Sequence, residues 1–145
     1  MEIKSIWKNN AKVDQNKYEL MYNESISNND DFWASQANRI DWIKKFTKVS
    51  EYKYSKEEVY IKWFYDGSLN VTYNCIDRHA KKDPEKIAII WEGDNPKDTR
   101  HISYKELLKN VCKTSNALKK AGVKKGDRVT IYLTMIPELA FVMLA

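Results

Sequence analysis

The spacing of hydrophobic side chains predicts two helices early in the chain. Residues 1–14 show no period, and we expect them to be mobile or to lie along a partner surface. A short helix is predicted from about Gln15, and the stretch 27–30, rich in capping residues, should end it as a loop. The second helix carries one aromatic stripe that we expect to be core rather than a ligand platform: Phe32, Trp33, Gln36, Ala37 and Ile40. Residues 47–58 are polar, which predicts a linker or surface loop with Tyr52 and Tyr54 as anchors.

Residues 59–83 form a junction between two kinds of sequence. The first part alternates in the manner of a short aromatic strand, with these side chains on one face: Val59, Ile61, Trp63 and Tyr65. Asp66 and Gly67 should end that strand. Asn70 is then placed to cap a helix whose apolar positions follow helical spacing: Val71, Cys75, Ile76, His79 and Ala80. The helix should end at Asp83, because the residue before a proline is disfavoured in a helix.

After residue 83 the pattern becomes that of an α/β protein. An apolar run over 87–91 and the segment 99–102 predict two strands, joined by a hairpin-like loop over 93–98. Ser103 and Glu106 form a capping box, which predicts a helix that runs to Ala121 and ends with Gly122 in the left-handed conformation. We expect its buried side to carry six residues: Leu107, Leu108, Val111, Cys112, Ser115 and Leu118.

The residues after this helix predict a β-α-β crossover. A turn at 125–127 leads into 128–134, whose Val-rich pattern is typical of an interior strand of a parallel sheet. A new helix should begin at Pro137, with Glu138 at the positive end of the helix dipole. Residues 139–145 are apolar nearly all round and contain no C-terminal capping signal. We therefore expect the chain to be the N-terminal piece of a larger α/β protein, truncated within this helix.

Charge and composition restrict the function classes. The 145 residues include 25 Lys and Arg against 20 Asp and Glu, a net charge of +5 that would suit a nucleic-acid partner. Only four of the basic residues are arginine, and the lysine pairs fall at predicted helix ends or turns, which favours a solvated surface and no nucleic-acid partner. The first residues lack a signal-peptide core, and no apolar run approaches the ~18 residues of a membrane span. We expect a cytoplasmic protein with free thiols at Cys75 and Cys112.

Candidate chemistry is sparse, and we assign no catalytic, cofactor-binding or metal residue. The four glycines, at positions 67, 93, 122 and 126, form no phosphate-binding loop. Cys75 and His79 share a predicted helix face near Asp77, as in a metal or thiolate–imidazole pair. Two ligands do not close a site, so we interpret Cys75 as a small core residue and His79 as a partly satisfied helix residue. His101 should be structural or exposed, and turn or helix-surface roles suffice for Asp66 and Asp77.

Several longer motifs carry a family resemblance. Residues 63–79, Trp-Phe-Tyr-Asp-Gly-Ser-Leu-Asn-Val-Thr-Tyr-Asn-Cys-Ile-Asp-Arg-His, resemble the N-terminal region of the acetyl-CoA synthetase family, the AMP-forming acetate-CoA ligases of the adenylate-forming superfamily. The similarity continues through residues 88–94, 102–107, 125–127, 131–132 and 135–138, and upstream through 32–33 and 41–42. The chain departs from the family at Leu133-Thr134-Met135, where Met-Pro-Met is common, and at Leu139 and Phe141, which replace smaller residues.

The resemblance implies both a fold and an activity. The fold would comprise an N-terminal helical extension and linker over 1–58, a junction strand and helix over 59–83, and the incomplete start of the AMP-binding α/β domain over 84–145. The full-length enzyme would convert acetate, Mg-ATP and CoA to acetyl-CoA, AMP and pyrophosphate through an acetyl-adenylate. All active-site residues would follow Ala145, so this fragment would hold no cofactor, would be inactive alone, and would have the rest of the polypeptide as its partner.

Two alternatives stay open at this point. A propionyl-CoA or acetoacetyl-CoA synthetase relative would have the same chemistry, because acyl size is selected by pocket residues that this chain does not include. A non-catalytic binding or adaptor module is the alternative from another class, and the basic charge balance is the argument for it.

Overall fold

The computed structural model describes residues 4–145, which divide into two compact units with a boundary between Leu69 and Asn70. This boundary falls inside the junction stretch, after its strand and before its helix. The finer division into 1–58, 59–83 and 84–145 stays a prediction about domain organisation. Over the described residues, no helix combines the length and apolar character needed to cross a bilayer.

Three helices open the first unit (residues 4–69). They are α1 (Ser5–Asn9), α2 (Gln15–Ser27) and α3 (Asn29–Ala37). The aperiodic stretch 1–14 therefore contains a short helix, contrary to expectation, although residues 1–3 lie outside the described part. The predicted loop over 27–30 is also too long. Asn28 alone separates α2 from α3, because its N–H bonds to the Glu24 carbonyl at 2.9 Å and its own carbonyl accepts from the Phe32 N–H at 3.0 Å.

The aromatic stripe on α3 is only partly core. Phe32 and Ala37 are buried as predicted, but Trp33 is exposed and contacts Phe32 edge-on, with their ring centroids 5.1 Å apart. Successive side chains on a helix point about 100° apart. Two adjacent aromatic rings therefore cannot both face the single small layer that α3 packs against.

The rest of the first unit is dominated by a β-hairpin. The predicted strand at 59–65 is confirmed as β2 (Val59–Tyr65), and it pairs antiparallel with β1 (Lys48–Tyr54). The prediction of a linker or loop over 47–58 is thus wrong for most of that stretch. Tyr52 and Tyr54 are exposed rather than anchoring. Backbone pairing with β2 is what makes β1 a strand, since a polar sequence is tolerated where the side chains stay in solvent.

The second unit (residues 70–145) begins with the predicted helix, but part of it is wound differently. Asn70 caps it as expected, its side-chain oxygen accepting from the Tyr73 N–H at 2.9 Å. Residues Tyr73–Asp77 form a π-helical turn that continues into α4 (Arg78–Lys82) and ends before Asp83 as predicted. A π turn holds more residues than an α turn, so side chains after its start face directions that 3.6-residue spacing does not predict.

The π turn corrects the assignment of buried residues on this helix. Ile76 is fully buried and Asn74 is buried beside it, whereas Val71 and Cys75 are exposed. Cys75 is therefore not a core residue. The side-chain amide of Asn74 donates to the Asn70 carbonyl at 3.0 Å, which satisfies a buried polar group inside the widened turn.

Both predicted strands after residue 83 are present as an antiparallel pair, β3 (Ile87–Glu92) and β4 (Thr99–Ser103). The long helix that follows is α5 (Tyr104–Lys120). The core of the unit lies between α5, the π turn and the last helix, and consists of these buried residues: Ile76, Ile102, Leu107, Val111 and Phe141. Cys112, predicted on the buried side of α5, is exposed.

The ends of α5 follow the sequence signals. The Ser103 hydroxyl accepts from the Glu106 N–H at 3.3 Å, which confirms the serine half of the capping box. Gly122 has φ +93° and donates to the Lys119 carbonyl at 3.0 Å. Val123 donates to the Leu118 carbonyl at 3.1 Å. This pair of bonds is a Schellman motif, which a glycine accommodates because the left-handed conformation costs it little.

The parallel strand predicted at 128–134 does not form, and with it the β-α-β crossover is absent from the described residues. A β-strand forms only when its backbone hydrogen-bonds to a neighbouring strand. The two described sheets are antiparallel pairs, and neither includes this segment. Met135, the residue after this segment, is hydrogen-bonded: the Trp91 indole donates to its carbonyl oxygen at 2.7 Å.

The last helix, α6 (Pro137–Met143), begins at Pro137 as predicted. Arg100 donates to Glu138 at 2.8 Å, and this contact holds the pKa of the Glu138 carboxyl below its usual value. At the other end the Thr72 hydroxyl donates to the Leu144 carbonyl at 2.7 Å. Phe141 is buried while Met143 is exposed, so only one side of α6 is covered in the structure.

Ser103→Ala removes the side-chain cap of α5 and should lower the free energy of unfolding by about 1 kcal/mol. Denaturant unfolding measures the loss. Lys113→Ala, at an exposed mid-helix position, is the matched control and should change stability by less than about 0.5 kcal/mol. An equal loss in both variants would contradict the capping role.

Candidate functional site

The residues that sequence patterns singled out lie in different surroundings. Cys75 is an exposed free thiol. His79 is half-buried and its ring stacks on Tyr104, with centroids 5.1 Å apart. Among residues 4–145, no group of three or more His, Cys, Asp or Glu side chains is placed to hold a metal ion. His101 is exposed on β4, as expected.

Asp66 has a larger role than turn formation. It adopts φ +56° directly after β2, and its carboxylate accepts from the Lys44 ammonium at 2.7 Å. It also accepts from the Thr47 N–H at 2.9 Å and the Thr47 hydroxyl at 3.0 Å. The Lys44 contact, followed by the Thr47 N–H, lowers the pKa of Asp66. We call the contacts of Asp66 with Lys44 and Thr47 the Asp66 clamp. The sequence carried no signal for it, because Lys44 lies 22 residues from Asp66.

An aromatic cluster packs against the same turn. The rings of Trp42, Phe46 and Phe64 lie with centroids 4.9 to 5.5 Å apart, and the Trp42 indole donates to the Ala37 carbonyl at 3.0 Å. Gly67 fits beneath them: a Cβ there would lie 2.7 Å from the Trp42 ring. Clamp and cluster together fix the base of the hairpin to the segment before β1.

One face of the hairpin carries large, mostly apolar side chains and is only partly covered, by α3 through Trp33–Trp63 and Asp30–Ser50. Because cross-strand partners share a face, the register places six large side chains on it: Tyr52, Tyr54, Val59, Ile61, Trp63 and Tyr65. All six are exposed. We call this surface the hairpin face. A groove of about 490 Å³ lies between the hairpin face and the residues where α2 ends and α3 begins. Its walls include Ile26, Ile61, Tyr52 and Trp63.

The groove also contains a carboxylate. Asp30 lies in its lining, and one of its oxygens accepts from the Ser50 hydroxyl at 2.8 Å. The other polar lining residues are Ser25, Asn29 and Ser50, so the groove combines aromatic walls with a single negative charge. Such a lining can receive an apolar segment or a cationic side chain.

Two further cavities lie in the second unit. The more apolar cavity has a volume of about 370 Å³ and lies between α5, α6 and the segment 128–134. Its lining includes Leu118, Val129, Ile131 and Val142. The other, about 310 Å³, is more polar and includes Thr72, Asp77, Asn116 and Lys119. Gly122 and Gly126 both adopt positive φ in the turns that follow α5.

Comparison with protein families gives two consecutive matches. Residues 18–75 match the model of the acetyl-coenzyme A synthetase N-terminus, and residues 76–145 match that of the AMP-binding enzymes. The border between them falls within the π turn, six residues after the boundary of the compact units. The two matches together extend from Tyr18 to Ala145.

Curated relatives named acetyl-coenzyme A synthetase match almost the whole chain. The protein of Bradyrhizobium diazoefficiens is 55% identical over 99% of this chain, and that of Mesorhizobium japonicum is 54% identical over 99%. That of Brucella canis is 56% identical over 95%. The chain spans 21 to 22% of the length of these relatives.

A solved structure shares the fold. Acetoacetyl-CoA synthetase from Streptomyces lividans matches with a TM-score of 0.75 at 23% identity, covering 88% of this chain and 19% of that one. At this identity the likeness supports the expected fold class, a helical extension followed by the start of an adenylate-forming α/β domain. It does not bear on the acyl group.

Asp66→Asn should destabilise the protein at neutral pH, and its effect should shrink on acidification. Because the folded-state pKa is lowered, the contribution of Asp66 is present in full above the ordinary aspartate pKa and is lost as the pH falls through the lowered value. Urea unfolding at neutral pH and below about pH 3 tests this. Asp94→Asn, in the exposed β3–β4 loop, is the control. A D66N effect of equal size at both pH values would contradict the clamp.

Proposed function

Because the chain belongs to the acetyl-CoA synthetase family of AMP-binding enzymes, we propose that it is the N-terminal scaffold of an acetate-CoA ligase. The observation that carries the proposal is the continuous match, at 50 to 56% identity, to relatives named acetyl-coenzyme A synthetase. The complete enzyme would join acetate to ATP, release pyrophosphate, and transfer the acetyl group from the adenylate to the thiol of CoA. It would act in the cytoplasm.

The residues of this chain do not fit a role in binding Mg-ATP or CoA. A triphosphate needs converging N–H donors and cations at a loop or helix start. The described glycines are instead isolated in turns, and Gly67 is packed against Trp42. We therefore assign no catalytic or ligand-binding step to residues 4–145. ATP, CoA and acetate would be held by residues that the longer relatives possess beyond this stretch.

What this chain contributes is rigid framework. In the second unit, α5 is capped at both ends and packs its buried face on Ile76, Ile102 and Phe141. In the first unit, the Asp66 clamp holds the hairpin in one conformation. The remainder of the polypeptide would be the main partner of both units, and the division into extension, junction and incomplete AMP-binding domain forms part of this proposal.

Acetate is favoured over larger acids by the names and high identity of the curated relatives. The acetoacetyl-CoA synthetase neighbour is a weaker argument, because 23% identity supports the fold alone. A stand-alone adaptor module is the remaining alternative, and it predicts a partner for the 145-residue chain without any continuation of the polypeptide.

Acetate-dependent exchange of pyrophosphate into ATP should appear in the polypeptide extended to the length of its relatives, and should be absent from the 145-residue chain. Propionate and acetoacetate serve as matched substrates and should support slower exchange. Exchange by the 145-residue chain would show that catalytic residues lie within it. No exchange with any of the three acids by the extended, folded polypeptide would contradict the proposed function.

Substituting the two cysteines should leave exchange by the extended enzyme within about three-fold of its starting rate, because both are exposed free thiols and neither is assigned as a nucleophile or ligand. Cys75→Ser and Cys112→Ser are assayed singly and together. Loss of several orders of magnitude with an unchanged unfolding midpoint would show that a thiol takes part in the reaction.

A further inference from the structure

The hairpin face is a contiguous, mostly apolar surface of a size that is often functional on soluble proteins. Its six side chains are 42 to 67% exposed. At ~200 Å² for a full aromatic side chain, the four aromatic residues alone expose roughly 450 Å². Val59 and Ile61 enlarge the patch towards the ~800 Å² that each partner contributes to a standard interface. Patches of this size on soluble proteins mark surfaces that another surface covers.

The described residues of the first unit leave most of this face open. The opposite face of the hairpin is the one that packs: Val49 is buried there and Phe64 joins the aromatic cluster. On the hairpin face, the only described ring contact with a helix is between Trp33 and Trp63, with centroids 6.1 Å apart. A two-stranded sheet with one uncovered apolar face is only marginally stable by itself, so a covering partner would also stabilise the hairpin.

The length of the relatives argues for a partner within the same polypeptide. They are more than four times as long as this chain, which spans 21 to 22% of them. A segment tethered to the same chain acts at an effective concentration of about millimolar, whereas a second copy must be bound from dilute solution. A tethered segment therefore covers the face first, unless its surface is a poor fit.

The groove beside the face indicates the chemistry of that segment. Asp30 provides its one charge, and Tyr52 and Trp63 provide aromatic walls. An apolar segment alone would leave the carboxylate facing a low-dielectric contact, which costs free energy. An arginine or lysine among apolar residues would pair with Asp30 by a charge-assisted hydrogen bond and lie against the rings.

We propose that the hairpin face is the docking surface for the part of the polypeptide that follows Ala145, and that Asp30 receives a cationic side chain from it. This inference rests on the proposed function, which supplies the longer polypeptide. The first unit thereby gains a specific role, because the face fixes where the helical extension attaches.

Cysteine labelling tests the docking surface directly. In a background of Cys75→Ser and Cys112→Ser, Ile61→Cys places a thiol on the hairpin face, and Lys53→Cys places one on the opposite face as the matched control. Maleimide should label Ile61→Cys about ten-fold more slowly in the extended polypeptide than in the 145-residue chain, because covered sites react only when they open. The control should label at similar rates in both. Tyr54→Cys is a second reporter if Ile61→Cys fails to fold.

The charge is tested in the same assay. Asp30→Asn keeps the oxygen that accepts from Ser50 but removes the charge, so it should restore a large part of the labelling of Ile61→Cys in the extended polypeptide. Equal labelling in the long and short polypeptides would overturn the docking surface. So would protection that appears in the 145-residue chain as its concentration rises, since a second copy would then be the occupant. Unchanged protection in D30N would overturn the cationic contact.

Activity separates this inference from the proposed function. Acetate-dependent exchange together with a freely labelled face would overturn the docking surface and leave the ligase assignment standing. A protected face without exchange would support the docking surface and remove the ligase assignment.

Discussion

A two-stranded antiparallel sheet cannot bury its own hydrophobic side chains, and this constraint governs both compact units. In the part of the chain that the structure describes, each unit contains one such pair of strands. Each pair is covered mainly on one side, by the aromatic cluster in the first unit and by α5 in the second. Large apolar side chains stay exposed on the hairpin face, on one side of α6 and along residues 128–135.

The same constraint explains why the units rely on polar contacts to define their conformation. A small core makes only a small contribution to the free energy of unfolding. Charge-assisted hydrogen bonds therefore account for a larger share of it. Asp66 is the clearest case, because one carboxylate receives a lysine, a backbone N–H and a hydroxyl from a segment far away in the sequence. In the second unit, Arg100 bonds to Glu138 in the first turn of α6, and Trp91 bonds to Met135, two residues before α6 begins.

The proposed function would separate framework from catalysis along the sequence. The described residues supply helix caps, the Asp66 contacts and a small core, and no group of three or more His, Cys, Asp or Glu side chains among them is placed to hold a metal ion. A scaffold of this kind is consistent with an enzyme whose reacting groups are placed by a larger domain. Open apolar surfaces on the scaffold are then sites of assembly rather than sites of chemistry.

The sequence by itself determined those features whose cause lies within a few residues. Ser103 capping α5, Gly122 ending it, Pro137 starting α6 and the alternation of β2 all follow from local bonds and side-chain spacing. The family resemblance was equally accessible, because it depends on the order of residues alone. Only the tertiary structure decided whether 48–54 is a strand, whether 128–134 is one, and which side of the 70–82 helix is buried. The strand at 48–54 forms because its backbone pairs with β2, which its polar sequence does not signal, and the segment 128–134 has no pairing partner among the described residues. The π turn exposes Cys75 and buries Ile76 in the core beside α5, and it leaves no 3.6-residue period to detect.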